Sequence, residues 1–186
     1  MGIPFCRLLS VLSRFRSESQ DARPQRILTI LLSEMGSLVL AQPMFRRLRS
    51  AYPEASFYAL IFEQNKDVLD VLDIFPQENI LTIRSGSFVE LTADSIKVIR
   101  MMRASKIDTV LDCELFSRVS SIFSYFSGAS VRVGFHPYTQ EGLYRGNFIN
   151  RPVLYNPHQH ISRQFITLAE AISSSGRPVV KRHTGK

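Results

Sequence analysis

The run RILTILLSEMGS, residues 26–37, predicts a buried strand followed by a tight turn and a helix. Residues 27–32 are apolar except for Thr29, as expected for a parallel strand that is covered on both faces. Residues 33–37 supply the turn, and the apolar residues after it recur at helical spacing. Pro43 lies inside that helical stretch and removes a backbone donor. We therefore expect a kink or a late helix start there.

The rest of the chain repeats this alternation of strand and helix. Further strands are predicted at Ala55–Phe62, Asn79–Ile83, Ile107–Asp112 and Ser130–Phe135, with helical patterns over 64–72, 88–102 and 119–126. A loop from His136 to Arg151 and a last helix from Ile161 follow, and Gly128 suits a helix C-terminus. Strands that alternate with helices in this way predict an α/β fold, a Rossmann-like doubly wound parallel sheet. Its ligands would lie where the strands end.

Composition excludes several classes of protein. The 186 residues are 45% hydrophobic and 21% charged, which is typical of a globular chain and not of a disordered or fibrous one. No apolar run approaches the roughly 18–20 residues that cross a bilayer. The two cysteines, Cys6 and Cys113, are far apart and form no CxxC pair. This usage favours a reducing, cytoplasmic compartment over a disulfide scaffold.

The charge of +7 is unevenly distributed along the chain. Residues 1–49 carry eight arginines against three acids, whereas residues 50–90 carry two basic residues against seven acids. Such asymmetry indicates an anionic partner, such as a phosphorylated substrate or an acidic membrane surface, although a solvated basic surface explains it equally well. The basic residues are dispersed and no recognised nucleic-acid element accompanies them, so we predict no nucleic-acid partner.

Residues 1–25 form an N-terminal extension with its own pattern. Apolar residues recur near every third or fourth position, and Arg7, Arg14 and Arg16 lie between them. A helix of this kind would be apolar on one face and cationic on another, as in segments that lie on a membrane surface. A frayed extension is an equally good interpretation. The polar residues 17–24 then read as a linker.

Individual motifs are weak. The chain has no GxGxxG, P-loop or GxSxG sequence, so the signatures of dinucleotide, P-loop and hydrolase sites are missing. His158 and His160 have the spacing of metal ligands, but a loop histidine and a helix-start histidine are the favoured interpretation. Asp112 and Glu114 follow a strand and offer carboxylates for acid–base chemistry, or Asp112 caps the next helix. Gly36, ahead of a helix, fits an anion site.

The order of these pieces resembles the glycosyltransferases of family 9, the heptosyltransferase type. Members of that family open with an apolar strand, then Ser, a Gly-Asp pair and an apolar helix that carries a proline. The resemblance covers about residues 26–176. It rests on the opening at residues 27–43 and on later segments in the same order: Tyr52-Pro53, Lys106–Asp112, Ser127–Phe135 and His160 at the start of the last helix.

This resemblance implies a GT-B architecture, in which two Rossmann-like domains enclose the active site. Residues 26–176 would be the N-terminal, acceptor-binding half, and residues 177–186 the start of an interdomain linker or a tail. The implied reaction is an inverting, metal-independent transfer of a sugar from a nucleotide-sugar to a lipopolysaccharide-like, lipid-linked saccharide acceptor. The nucleotide-sugar is expected to bind a C-terminal domain, so this half needs no cofactor and is expected to be inactive alone.

The resemblance also implies where the site residues lie. The family carries a catalytic Asp directly after the turn glycine, but Ser37 stands at that position here. A serine hydroxyl is not a base near neutral pH, so we expect Ser37 to cap the helix and the nearby Glu34 to replace the Asp as base. A solvated turn residue is an equally good interpretation of Glu34. The residues expected to bind the acceptor are Gly36, Arg118, His136, Tyr144 and Arg145.

Two further expectations concern setting and class. A lipid-linked acceptor implies a cytoplasmic protein that is peripheral on the inner face of the plasma membrane. The alternative from another class is a non-catalytic module that binds an acidic glycan or lipid.

Overall fold

The computed structural model describes residues 23–115, 117–136 and 148–174. Within these ranges strands and helices alternate as the sequence predicts. The strands are β1 (Arg26–Ile30), β2 (Ser56–Phe62), β3 (Ile80–Ile83), β4 (Thr109–Asp112), β5 (Val131–Phe135) and β6 (Arg151–Val153). The helices are α1 (Met35–Leu40), α2 (Gln42–Ala51), α3 (Lys66–Leu72), α4 (Phe88–Ala104), α5 (Arg118–Phe126) and α6 (Ile161–Ala171). Short 3₁₀ turns cover Glu63–Asn65 and Gln77–Asn79.

The six strands of the described chain form one parallel sheet in the order β3-β2-β1-β4-β5-β6. The predicted doubly wound, Rossmann-like α/β fold is therefore confirmed. The chain winds outward from β1 in both directions, so the order reverses between β1 and β4. In such sheets ligands bind at this switch point, beside the carboxyl ends of the strands.

Two apolar layers cover the sheet, because successive residues of a strand point to opposite faces. On β1, Ile27 and Leu31 pack with residues of α1, α2, α3 and α6, whereas Leu28 and Ile30 pack with residues of α4 and α5. The central strands are thus buried on both sides, which explains why residues 27–32 are almost uninterruptedly apolar.

Pro43 acts as the sequence predicts. The helical stretch after β1 divides into α1 and α2 at Ala41, and the proline occupies the first turn of α2, where its missing N–H is tolerated. Gly128 follows α5 with a φ of 91°, the left-handed conformation expected after a helix C-terminus.

One strand was missed by the sequence analysis. Residue 151 was expected to end a loop, but it begins β6, which pairs with β5 through Arg151–Val153. The strand has three residues and contains Pro152 at the sheet edge, so neither its length nor its pattern identifies it. The described residues contain no helix that is both long and apolar enough to cross a membrane.

Candidate functional site

A cleft of about 420 Å³ opens where β1 and β4 end, at the switch point of the sheet. The turn after β1 contributes one side and the segment after β4 the other, while α6 closes the cleft with apolar side chains. Its described lining consists of Ser33, Ser37, Cys113, Glu114, Leu115, Ser117, Ile161 and Phe165. The turn after β1 and the segment after β4 therefore meet at the edge where the strands end, which is where the sequence analysis expected ligands to lie.

Glu114 is the carboxylate of this cleft. Burial raises its pKa, and the nearby charge of Asp112 raises it further. The Ser33 hydroxyl donates a hydrogen bond of 2.6 Å to Glu114 Oε1, and the backbone N–H groups of Leu32 and Ser33 also favour the charged form. Glu114 is thus a carboxylate held in place by the β1 turn, with a pKa shifted towards neutral pH.

Asp112, two residues before Glu114, is fully buried. Its Oδ1 accepts a hydrogen bond of 3.1 Å from the Glu114 backbone N–H, and its Oδ2 accepts bonds from the hydroxyls of Ser120 and Ser121. The predicted capping role is wrong in detail, because Ser117 is the N-cap of α5 and accepts from the Ser120 N–H. Asp112 instead ties β4 to the first turns of α5 through side chains.

The turn that carries Ser33 is fixed from a second strand. Asn65 is buried after β2, and its side-chain amide donates a bond of 2.7 Å to the Ser33 carbonyl. The carboxyl ends of β1, β2 and β4 therefore converge on Ser33. This convergence preorganises the Ser33–Glu114 pair, because neither partner depends on an exposed, mobile loop.

The cleft combines a polar and an apolar wall. Leu115, Ile161 and Phe165 supply apolar side chains, and Ser33, Ser37 and Ser117 supply hydroxyls. The described lining carries no lysine or arginine. A sugar ring suits such walls, since it has both apolar ring faces and hydroxyl groups.

The predicted catalytic residues lie at the same edge but occupy different positions. Helix α1 begins at Met35, so Glu34 is its N-cap residue and is exposed, without a capping side-chain bond. The expectation that Ser37 caps this helix is wrong, because Ser37 is the third helical residue and its N–H donates to the Glu34 carbonyl. Ser37 lines the cleft, whereas Glu34 is not among the described lining residues.

Gly36 lies inside the first turn of α1, whereas the sequence analysis placed it ahead of the helix. It is exposed, and a Cβ added to it would meet no atom within 4 Å. Its surroundings therefore do not require a glycine. Its assignment to acceptor binding stays a prediction.

Arg118 and His136 also lie at the carboxyl edge. Arg118 begins α5 after β4, and His136 follows β5, where its backbone N–H donates to the Val153 carbonyl. Both are half-buried, and neither belongs to the described lining of the cleft. Tyr144 and Arg145 lie outside the described residues, so their predicted role is untested.

The histidine pair shows no metal geometry. His160 is the N-cap of α6 and its Nδ1 accepts from the Ser162 N–H, which confirms the helix-start interpretation. His158 is exposed in the preceding turn. Among the described residues no group of three or more His, Cys, Asp or Glu side chains could hold a metal ion.

The fold is similar to that of solved heptosyltransferases. The E. coli heptosyltransferase WaaC with ADP matches 83% of this chain with a TM-score of 0.67 at 16% identity. The E. coli ADP-heptose LPS heptosyltransferase II matches 78% with a TM-score of 0.63 at 18% identity. A family 9 glycosyl transferase from Veillonella parvula matches 80% with a TM-score of 0.64 at 18% identity.

These likenesses confirm the predicted heptosyltransferase-like, GT-B-type fold. At this level of identity they describe the fold alone. The chain spans less than half of each of these structures, namely 49%, 40% and 41% of their lengths. No protein-family model matches the sequence, and a comparison with curated proteins finds no match either.

Proposed function

We propose that this chain is the acceptor-binding part of a glycosyltransferase of the heptosyltransferase type. The observation that carries the proposal is a half-buried carboxylate, Glu114, which lines a cleft at the switch point of a heptosyltransferase-like sheet. The acceptor is a lipid-linked saccharide, and the protein works in the cytoplasm at the inner face of the plasma membrane. A nucleotide-sugar supplies the transferred sugar from a part of the enzyme outside this cleft.

Glu114 is the general base in this proposal. Its carboxylate takes the proton from an acceptor hydroxyl, and the oxygen attacks the anomeric carbon of the donor sugar. The bond between that carbon and the nucleotide diphosphate breaks as the new glycosidic bond forms, so the configuration inverts. A raised pKa makes the carboxylate a stronger base, while the Ser33 hydrogen bond favours its ionised form and orients it.

Glu34 is the competing candidate for the base. It lies at the exposed start of α1, where an acceptor hydroxyl has access to it, and its side chain makes no capping hydrogen bond. Glu114 is favoured because general-base catalysis depends on a fixed carboxylate with a tuned pKa. Neither candidate needs a metal ion.

The remaining groups suit acceptor binding. Leu115, Ile161 and Phe165 pack against the sugar face, and Ser37 and Ser117 bond to its hydroxyls. Phosphates or carboxylates of the acceptor meet cations at the same edge, with Arg118 and His136 as the described candidates. Gly36, Tyr144 and Arg145 complete the predicted set.

Binding is tested on the isotope-labelled chain by NMR titration with a phosphorylated, acidic oligosaccharide. The expected result is saturable shifts of the cleft amides, at Ser33, Glu114 and Ser117. A neutral oligosaccharide of the same length is the control and binds more weakly. Shifts confined to other surfaces, or no saturable change, would contradict the proposal.

Transfer is tested in a chimera that joins this chain to the remaining part of a structurally similar heptosyltransferase. Glu114→Gln should lower the turnover by at least about 100-fold with little change in acceptor affinity. Glu34→Gln and the exposed control Glu54→Gln should leave the turnover within about threefold. Loss of turnover in Glu34→Gln with normal rates in Glu114→Gln would identify Glu34 as the base. If folded chimeras bind the acceptor but none of them transfers a sugar, the result would instead favour the non-catalytic module.

A further inference from the structure

The outer face of α4 combines exposed apolar side chains with cations. Phe88 and Val89 are 83% and 75% exposed, and Ile96 and Met101 on the same helix are 48% and 36% exposed. The cations of this face are Lys97, Arg100 and Arg103, all of them exposed. This set lies on the side of α4 that turns away from the sheet, because Val98 and Met102 form the buried side.

Five exposed positions form a continuous stripe along the helix, and Phe88, Lys97 and Met101 flank this stripe. Positions 89, 93, 96, 100 and 103 are spaced by three or four residues and are all exposed. An ordinary surface helix is polar on its outer side, so large apolar residues in such a stripe indicate a partner. The stripe extends over most of the 17 residues of α4, a length of about 25 Å.

The acids of α4 are already engaged. Arg84, just before the helix, binds Asp94 at 2.8 Å and Glu90 at 3.2 Å. The Glu90 carboxylate also closes the capping box at Ser87. Arg103 Nε donates a hydrogen bond of 2.7 Å to the Phe126 carbonyl, and its charge adds to those of Lys97 and Arg100, so the face is net positive.

The acidic residues of the sequence are unevenly divided between the two sides of the sheet. The other helix on this side of the sheet, α5, contains no acid, carries Arg118 at its start and exposes Val119 to 50%. The acids of residues 50–90 lie mainly on or beside α3, which packs on the opposite side, with Asp67, Asp70 and Asp73 exposed. The opposite side also carries cations, Arg46, Arg47 and Arg49 on α2, so the α4 side is distinguished by the combination of cations with exposed apolar side chains on one helix.

We propose that the outer face of α4 docks onto a bilayer surface that contains anionic phospholipid. Aliphatic and aromatic side chains enter the interface between headgroups and acyl chains, and the cations bind lipid phosphates. A nucleic-acid surface would not account for four exposed apolar side chains. The surface is distinct from the N-terminal segment at residues 1–16, and the proposal does not depend on the glycosyltransferase function.

The docking orientation has a consequence for the cleft. Helix α4 follows β3, so Phe88 and Val89 lie at the carboxyl edge of the sheet, the edge at which the cleft opens. Insertion of these two residues would bring that edge to the membrane surface. A lipid-linked ligand could then reach the cleft without leaving the bilayer.

Vesicle flotation of the full chain tests the proposal. Vesicles of phosphatidylcholine with phosphatidylglycerol should retain the wild-type chain, and pure phosphatidylcholine should retain much less. Phe88→Ser with Val89→Ser should weaken the partition coefficient by roughly tenfold or more. Lys97→Gln with Arg100→Gln should weaken it by roughly fivefold for each charge removed, with a smaller effect at high salt.

Matched controls come from the opposite side of the sheet. Val71→Ser removes an apolar residue that is 85% exposed on α3, and Arg46→Gln with Arg47→Gln removes two exposed charges from α2. Neither control should change partitioning by more than about twofold. Circular dichroism on every variant separates loss of binding from loss of fold.

Four outcomes would overturn the proposal. They are no retention by anionic vesicles, equal weakening by the control variants, unchanged retention in both α4 variants, and duplex DNA binding that depends on the same residues as strongly as lipid binding does. The remaining alternative is that a second copy of the chain covers this face, and light scattering after size exclusion tests it. A dimer that Phe88→Ser with Val89→Ser converts to a monomer would show that a second copy of the chain covers this face.

Discussion

At the residue scale, the chemistry of the cleft depends on how Glu114 is buried. The side chain lies between the β1 turn and β4, where water solvates its charge poorly, and Asp112 lies close behind it. Both effects disfavour the charged form of Glu114, and three hydrogen-bond donors from Ser33 and Leu32 partly offset them. A group with such opposing interactions is more often found at a functional site than at a purely structural one.

A dependence of stability on pH follows from the raised pKa of Glu114. Well below its ordinary pKa of 4.5 the carboxyl is neutral in both the folded and the unfolded chain, and its burial then does not lower the free energy of unfolding through charge. As the pH rises past 4.5, the unfolded chain loses this proton first, so the free energy of unfolding falls until the folded carboxyl also ionises. Glu114→Gln removes this loss.

Chemical denaturation between pH 4 and pH 8 measures the effect. The difference in unfolding free energy between Glu114→Gln and wild type should move in favour of the variant as the pH rises, and then level off. In Ser33→Ala the free energy of unfolding should fall further with rising pH than it does in wild type, because the hydroxyl that favours the charged carboxylate is gone. Ser37→Ala, in the same cleft, is the control. A difference that does not change with pH would show that Glu114 has an ordinary pKa.

The identity of this carboxylate was only partly predictable. The end of β4 is recognisable in the sequence, so Asp112 and Glu114 could be named as acid–base candidates. Which of the carboxylates near this edge faces the cleft depends on the length of the turn after β1 and on the start of α1. The N-cap of α1 is Glu34, three residues before the expected Ser37, and Glu34 is exposed while Ser33 bonds to Glu114. A long-range contact of this kind has no local sequence signal.

At the scale of elements, helical spacing predicted α4 well, and the structure adds a capping signal that the sequence analysis did not use. Helix α4 begins with a capping box, in which the Ser87 hydroxyl accepts from the Glu90 N–H and the Glu90 carboxylate accepts from the Ser87 N–H. The amphipathic spacing after it fixes which side packs on the sheet. Strand β6 lacks any such signal, since its pairing with β5 depends on tertiary contacts.

Removal of the α4 cap tests how much this helix start contributes. Ser87→Ala leaves helical donors unsatisfied and breaks the reciprocal bond with Glu90, so the free energy of unfolding should fall by about 1 kcal/mol. Ser50→Ala, at an exposed position inside α2, is the control and should change it by less than about 0.5 kcal/mol. Urea denaturation of the two variants measures both values. Equal stability of Ser87→Ala and wild type would mean that α4 is held by its packing alone.

At the scale of the whole molecule, the sheet separates two kinds of surface. The sequence predicted the order of strands and helices, because near-continuous apolar strands and amphipathic helices allow few other arrangements. It also showed the charge asymmetry along the chain. Only the fold shows that most acids of residues 50–90 collect on the side of α3, while α4 and α5 cover the other side with cations and apolar residues.

The composition of the cleft predicts what this chain does not bind by itself. A nucleotide-sugar carries a diphosphate, which proteins bind with cations or with free backbone N–H groups at a helix start. The described lining of the cleft holds Glu114, three serines and apolar side chains. The diphosphate of a nucleotide-sugar is joined directly to its sugar ring, so a donor sugar in the cleft would bring the diphosphate against the half-buried Glu114 carboxylate, whereas the phosphates of an oligosaccharide acceptor can lie beyond the cleft at Arg118 and His136. Calorimetric titration of the chain with ADP- and UDP-sugars should therefore show no saturable binding. The acidic oligosaccharide of the NMR experiment, titrated under the same conditions, is the positive control. Saturable nucleotide-sugar binding that Glu114→Lys strengthens would show that the cleft is a donor site, and the acceptor-binding assignment would then be wrong.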